Sequence, residues 1–139
     1  MSPTKEPRQV LSERIDALES GYEFLLADAA QGRTTDKGAG AASRIREHLD
    51  AMQQALDGLG DAVRSVAATD PQDAGTIGAP FFAALDRDAA TARSAIRLVL
   101  SRQDIGSQLV DNLNASIHLR ALLTDLFVID EVLKQRPTA

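Results

Sequence analysis

The chain has 139 residues, of which 44% are hydrophobic, 25% are charged and 4% are aromatic, and its formal net charge is -5. This length and composition exclude a disordered chain and predict a single globular domain over residues 1–139. The absence of cysteine excludes disulfides, thiolate catalysis and zinc-thiolate sites. Nucleic acid is not expected as a partner, because the basic residues are scattered and phosphate binding depends on clustered Lys and Arg.

The sequence shows no segment that would target or anchor the chain to a membrane. Residues 1–8 are polar and include two prolines, unlike the apolar core of a secretory signal. The longest unbroken apolar run, Leu126 to Ile129, is far shorter than the ~20 residues that a membrane span needs. We therefore expect a soluble, cytoplasmic protein that does not bind membranes.

The first predicted helix covers about residues 5–30. Apolar residues recur there at alternating steps of four and three, which is typical of a helix that buries one face. Pro7 suits the first turn, where its missing N–H has no cost, and Gly32 ends the helix. A glycine-rich loop follows over residues 31–40.

The second predicted helix covers about residues 43–68 and carries the same stripe from Ile45 to Val66. Gly58 and Gly60 lie inside it, and each costs about 1 kcal/mol relative to alanine. Either these glycines allow a neighbouring backbone to approach closely, or they mark a kink.

Two further helices are predicted at about residues 80–102 and 107–135. Pro80 suits the first turn of the third helix, and Ser107 is a candidate N-cap of the fourth. The connection between them is short, which is typical of antiparallel neighbours. The sequence therefore predicts an all-α protein, arranged as an antiparallel up-down four-helix bundle.

The fourth helix is apolar almost all round in its second half, beyond the ~100° stripe that a bundle helix buries. Large apolar patches on proteins in water commonly mark contact sites. We therefore predict an interaction surface for a homodimer or for a helical protein partner, although the N-terminal arm or a long loop could cover it instead. The predicted surface consists of Leu119, Leu122, Leu123, Leu126, Phe127, Ile129 and Leu133.

The two histidines, His48 and His118, are the candidates for metal binding or phosphotransfer. Di-metal bundles use Glu-x-x-His motifs on facing helices, and no such motif occurs here. The segment from Ser116 to Leu122 resembles a histidine-kinase dimerisation helix. However, Leu119 stands where the acidic residue directly after the histidine is expected, and no proline follows.

Other catalytic signatures are missing. No serine lies in a Gly-x-Ser-x-Gly setting, and neither Gly38-Ala39-Gly40 nor Gly58-Leu59-Gly60 precedes a Gly-Lys-Ser/Thr element. We therefore expect a protein that is not an enzyme and that has no cofactor.

Two segments resemble a ferritin-like four-helix-bundle family of bacterial proteins with no assigned function. The first is Leu18-Glu19-Ser20-Gly21-Tyr22, and the second runs from Asp70 to Gly78 with the sequence DPQDAGTIG. The resemblance implies a bundle fold and an ancestral metal-binding protein. The carboxylate and histidine ligands of such an ancestor have no counterparts here, so no metal site is carried over.

Together these observations predict a small acidic helical-bundle interaction protein, of the adaptor or chaperone kind. It would associate with itself or with a partner helix through the apolar fourth helix. The alternative is a ferritin-like metal-binding bundle or a phosphotransfer bundle that uses His48 or His118.

Overall fold

A computed structural model describes residues 5–37, 44–69 and 78–134, with the side chains at 117, 133 and 134 outside the described part. These residues form six helices and no strand, which confirms the all-α prediction. The helices are α1 (Pro7–Ala29), α2 (Arg44–Leu56), α3 (Leu59–Ala68), α4 (Ala79–Leu100), α5 (Ser107–Ala115) and α6 (Ile117–Lys134). Within these ranges no helix combines the length and hydropathy needed to cross a membrane.

The two long uninterrupted helices, α1 and α4, begin as the sequence predicts. Each has a proline in its first turn and an extended residue before it, Glu6 for α1 and Gly78 for α4. Proline is favoured there because its fixed φ matches the helix and no hydrogen bond is lost. After α1 the chain turns through Gly32, whose φ is +66°, a conformation that glycine adopts without steric cost.

The helix predicted over residues 43–68 is two helices, because the chain breaks between α2 and α3. The break lies at the glycines where the sequence leaves a kink as one of two alternatives. Gly58 adopts a left-handed conformation with φ 75° and ψ 14°, which ends α2, and its carbonyl then accepts the Ala62 N–H at 3.0 Å to start α3. Gly60 has a different role, because a Cβ atom there would overlap the Asp86 carboxylate on α4. One glycine therefore makes the kink, and the other makes room for a side chain of a neighbouring helix.

The predicted continuous helix over residues 107–135 is also interrupted, at Ser116. This residue is extended, with φ -65° and ψ 131°, and its N–H bonds to the Leu113 carbonyl at 3.1 Å. An extended residue cannot continue the helical hydrogen-bond ladder, so α5 and α6 are separate helices.

The core is formed by the predicted apolar stripes. α1 packs against α2, α3 and α5, while α4 packs against α2, α3 and α6. At Gly21 of α1, a Cβ atom would overlap the Met52 side chain of α2, so this glycine lets the two helices approach closely. The completely buried large side chains include Leu18, Leu25, Ile45, Leu49, Met52, Leu85, Ile96, Leu122 and Leu126.

Candidate interaction site

The structure places most of the predicted interaction surface in the core instead. Five of its members are buried, namely Leu119, Leu122, Leu123, Leu126 and Ile129. They are covered because α6 packs along α4 and contributes to the common core. The prediction that these five form an outer surface is therefore wrong for the folded chain.

Phe127 is the one predicted surface residue that the structure shows to be exposed. Its side chain is 53% exposed, and the adjacent Val128 is also about half exposed. The seventh predicted member, Leu133, has a side chain outside the described residues. The apolar surface of α6 is therefore much smaller than predicted, and it is centred on Phe127.

Phe127 borders a cleft between α1 and α6. The cleft has a volume of about 180 Å³ and is lined by Glu19, Tyr22, Glu23, Leu123 and Phe127. It exists because α1 packs closely on α5 but only marginally on α6, so the two helices separate beyond the break at Ser116. We call this feature the α1–α6 cleft.

The α1–α6 cleft combines an apolar floor with an acidic wall. Leu123 and the half-buried Tyr22 supply the apolar part, while Glu19 and Glu23 stand on the α1 side. On α6, the exposed Arg120 lies seven positions before Phe127, two helical turns away on the same face.

A different polar cluster, the polar clasp, joins the loop after α1 to the start of α5. It consists of Asp28, Arg33, Asp36, Arg46 and Ser107. Arg33 donates to both Asp28 carboxylate oxygens, with Nε–Oδ1 at 2.8 Å and Nη2–Oδ2 at 2.5 Å. Ser107 Oγ accepts the Arg33 N–H at 2.9 Å and donates to the Asp28 carbonyl at 2.8 Å.

The second half of the polar clasp is centred on Asp36. Its Oδ1 accepts the Ile105 N–H at 2.7 Å, and its Oδ2 accepts the Arg46 Nε–H at 2.7 Å. Burial by itself would raise the pKa of Asp36, but these hydrogen bonds outweigh it and lower the pKa to about 2. Because its buried carboxylates are hydrogen-bonded within the protein, the clasp has the character of a structural contact.

A cleft of about 270 Å³ lies where α3 begins, against α4. Arg64 pairs there with Asp86 at 2.5 Å, and Arg93 lies 3.7 Å from an Asp57 oxygen. Carboxylates and guanidinium groups offset one another in this cleft, so it has no clear preference for an anion or a cation.

The structure does not bring the two histidines together. His48 on α2 stacks on Phe24 of α1, with ring centroids 3.9 Å apart, whereas His118 is exposed on α6, which is not packed against α2. Burial, and then the positive charge of Arg44, lower the pKa of His48, so its neutral ring serves as a packing group. Among the described residues, no group of three or more His, Asp or Glu side chains could hold a metal ion.

The interface between α4 and α6 contains a pair of carboxyl groups. Burial, a hydrogen bond shared with Asp88 and the negative charge of Asp88 raise the pKa of Asp125 to about 7. Its Oδ2 atom is buried, with no hydrogen-bond partner in the described part of the chain. Asn114 and Ser116, at the joint between α5 and α6, likewise have buried polar atoms without a partner in that part.

The sequence did not identify Glu19, Tyr22 or Glu23 as site residues. Tyr22 belongs to the apolar stripe of α1, and the two glutamates look like ordinary surface residues. Their place in a cleft depends on the separation of α1 from α6, for which spacing along α1 gives no signal.

No protein-family model, curated protein or solved structure matches this chain. The ferritin-like resemblance therefore stays a prediction, and residues 70–77, which carry most of its second segment, lie outside the described residues.

Proposed function

We propose that this chain is a noncatalytic helical interaction protein, which receives an apolar side chain of another protein in the α1–α6 cleft. The observation that carries the proposal is the exposed Phe127 beside a cleft whose floor is the core residue Leu123. The function keeps the interaction role predicted from the sequence and moves it from the buried leucines of α6 to this cleft.

The free energy available at this site is modest. Fully burying a phenylalanine contributes about 1.5–3 kcal/mol, so covering the exposed half of Phe127 would contribute about 1 kcal/mol. A partner that also covered Val128 and entered the cleft would gain more. Single exposed apolar residues are common, but Phe127 borders a cleft, and Val128 next to it in the chain is exposed as well. This combination favours a contact site.

The packing of the helices supports a bundle as the scaffold for this site. α1 and α4 each pack against the α2–α3 pair and against one helix of the α5–α6 pair. We infer that four rods form a ring, as in an up-down four-helix bundle. Two rods are the single helices α1 and α4, and the other two are the broken pairs α2–α3 and α5–α6. The uninterrupted helix α1 would then form one wall of the cleft. The other uninterrupted helix, α4, would support α6 from the opposite side.

The proposal is tested by site-specific photocrosslinking in the cells that naturally make the protein. A photoreactive phenylalanine analogue replaces Phe127 in one variant and Leu98 in a control. Leu98 is a matched control because it is 64% exposed and lies on α4. We expect a crosslinked adduct from position 127 and none from position 98.

The mass of the adduct identifies the partner class. An adduct of twice the chain mass would identify a homodimer, and any other discrete mass would identify a second protein. Equal adducts from both positions, or none from position 127, would refute the proposed interaction role of the cleft.

A further inference from the structure

We infer that the partner of the α1–α6 cleft is a cationic amphipathic helix, an inference that rests on the proposed function. Three carboxylates follow one another along α1 at steps of three and four residues, namely Asp16, Glu19 and Glu23. Residues at this spacing share one side of a helix, so they form an acidic stripe about two turns long.

The acidic stripe is not neutralised within the described residues. None of its three carboxylates forms an ion pair there. Like charges three or four positions apart weaken a helix, so this stripe lowers the stability of α1 without any internal compensation. Two of its members, Glu19 and Glu23, also line the cleft beside Tyr22.

The combination specifies the chemistry of the occupant. An apolar side chain of the partner would enter the α1–α6 cleft beside Leu123 and Phe127. Cationic side chains three or four residues away in the partner would face the α1 carboxylates. A helix with an apolar stripe flanked by Lys or Arg presents both at this spacing. It would lie along the direction of α1.

A second copy of this chain fits less well. A symmetric dimer through this face would bring two acidic stripes into one interface, in a chain whose net charge is -5. Among the described side chains, the exposed Arg120 is the cation on the Phe127 face of α6, against the three carboxylates of the stripe. Like-charge contacts across an interface oppose association.

The test uses a model helical peptide of Leu and Lys, with Leu at steps of three and four. Its binding is measured by isothermal titration calorimetry at low salt, next to a peptide of the same pattern with Glu in place of Lys. We expect binding of the Leu/Lys peptide only. Equal binding of the Leu/Glu peptide would overturn the inference.

Variants of the chain then locate the bound peptide. We expect Glu19→Gln combined with Glu23→Gln to weaken binding about fivefold or more, and Phe127→Ser to weaken it further. The matched control combines Glu47→Gln with Asp61→Asn, which changes the net charge equally at exposed positions on α2 and α3. Far-UV circular dichroism checks that each variant is folded.

Two results would refute this inference. An equal loss of binding in the control would show that only the overall charge attracts the peptide, and full binding by Phe127→Ser would place the peptide elsewhere. Light scattering separates the inference from the proposed function. A dimer that Phe127→Ser dissociates would support an interaction role for the cleft and would overturn the cationic helix as its occupant.

Discussion

Buried polar groups are hydrogen-bonded in the polar clasp, whereas several buried polar atoms lack a partner among the described residues of the α5–α6 arm. The α5–α6 arm is our name for residues 114–134, which run from the end of α5 through α6. Of the four polar or charged residues classed as buried in the described ranges, Asp28, Asp36 and Ser107 belong to the clasp, where each has hydrogen-bond partners. The fourth, Asn114, lies in α5, and neither of its amide atoms has a partner among the described residues.

This difference separates a region whose polar groups are all hydrogen-bonded from a region with unpartnered buried polar atoms and exposed apolar side chains. A fully hydrogen-bonded polar network fixes one local geometry. The arm, by contrast, carries the unpartnered Asn114 and Asp125 oxygens and the exposed Phe127 and Val128. Natural proteins commonly place locally unfavourable features at functional regions, which agrees with the proposed site on α6.

The largest expected effect comes from breaking the clasp with Asp28→Ala. The substitution leaves the Arg33 guanidinium, whose side chain is 12% exposed, without its carboxylate. Removing one partner of a buried ion pair costs about 3–5 kcal/mol of unfolding free energy, measurable by urea denaturation. The control Glu13→Ala breaks the exposed pair with Lys5 and should cost at most about 1 kcal/mol. Equal losses would show that the clasp contributes no more than a surface pair.

The next effect has the opposite sign and concerns the arm. Asn114→Leu replaces a buried, unpartnered amide with an apolar side chain of similar size, and an unsatisfied buried polar group costs about 1–3 kcal/mol. We therefore expect the free energy of unfolding to rise by that order. The control Asn112→Leu changes an exposed residue two positions earlier and should stay within about 0.5 kcal/mol. A loss of stability in Asn114→Leu would mean that the amide is partnered in solution.

The two regions should also respond to pH in opposite directions. With its pKa raised to about 7, above the ordinary value of about 3.9, Asp125 favours folding in its neutral form. Its contribution is therefore complete below about pH 4 and is lost as the pH rises through about 7. We expect Asp125→Asn to flatten this decline in unfolding free energy, measured by chemical denaturation at a series of pH values.

Asp36 supplies the contrasting case in the same experiment. Its pKa of about 2 lies below the ordinary value, so its charged form favours folding. That contribution is present above about pH 4 and is lost as the pH falls towards 2. Asp36→Asn should therefore remove the loss of unfolding free energy between about pH 4 and pH 2, and leave the decline towards pH 7 unchanged. If either variant changed the unfolding free energy equally in both pH ranges, the two carboxyl groups would not titrate as described.

The smallest expected effect on stability is that of Phe127→Ser. More than half of the Phe127 side chain is exposed at 53%, so the substitution removes only the buried remainder, which contributes about 1 kcal/mol by area. Thermal unfolding followed by circular dichroism measures the change. A loss of several kcal/mol would show that Phe127 stabilises the fold, and would weaken its assignment to a contact surface.

The helical fold could be predicted because spacing along the sequence reports which side of a helix is buried. The stripe residues Leu18, Ile45 and Ile96 all lie in the core. The break at Gly58 had a signal in the glycine itself. The break at Ser116 had none of comparable strength, since neither glycine nor proline lies beside it.

The candidate site could be predicted only in part. An apolar helix such as α6 exposes or buries its residues according to how many neighbouring helices cover it. The spacing of apolar residues along the sequence does not report that number. For this reason the sequence predicts a surface position for Leu122 and Leu126, whereas both lie in the core. Phe127 is exposed, but the cleft beside it depends on tertiary packing, which the spacing of residues along one helix does not report.

One hydrogen bond of the clasp has a consequence for amide hydrogen exchange. The Ile105 N–H lies in a loop, yet it donates to the Asp36 carboxylate 69 positions away in the sequence, and both residues are buried. Loop amides ordinarily exchange with solvent deuterium quickly, because little structure must open to expose them. The Ile105 amide should instead exchange as slowly as the opening of the clasp allows, so one NMR signal would report the free energy of separating the two loops.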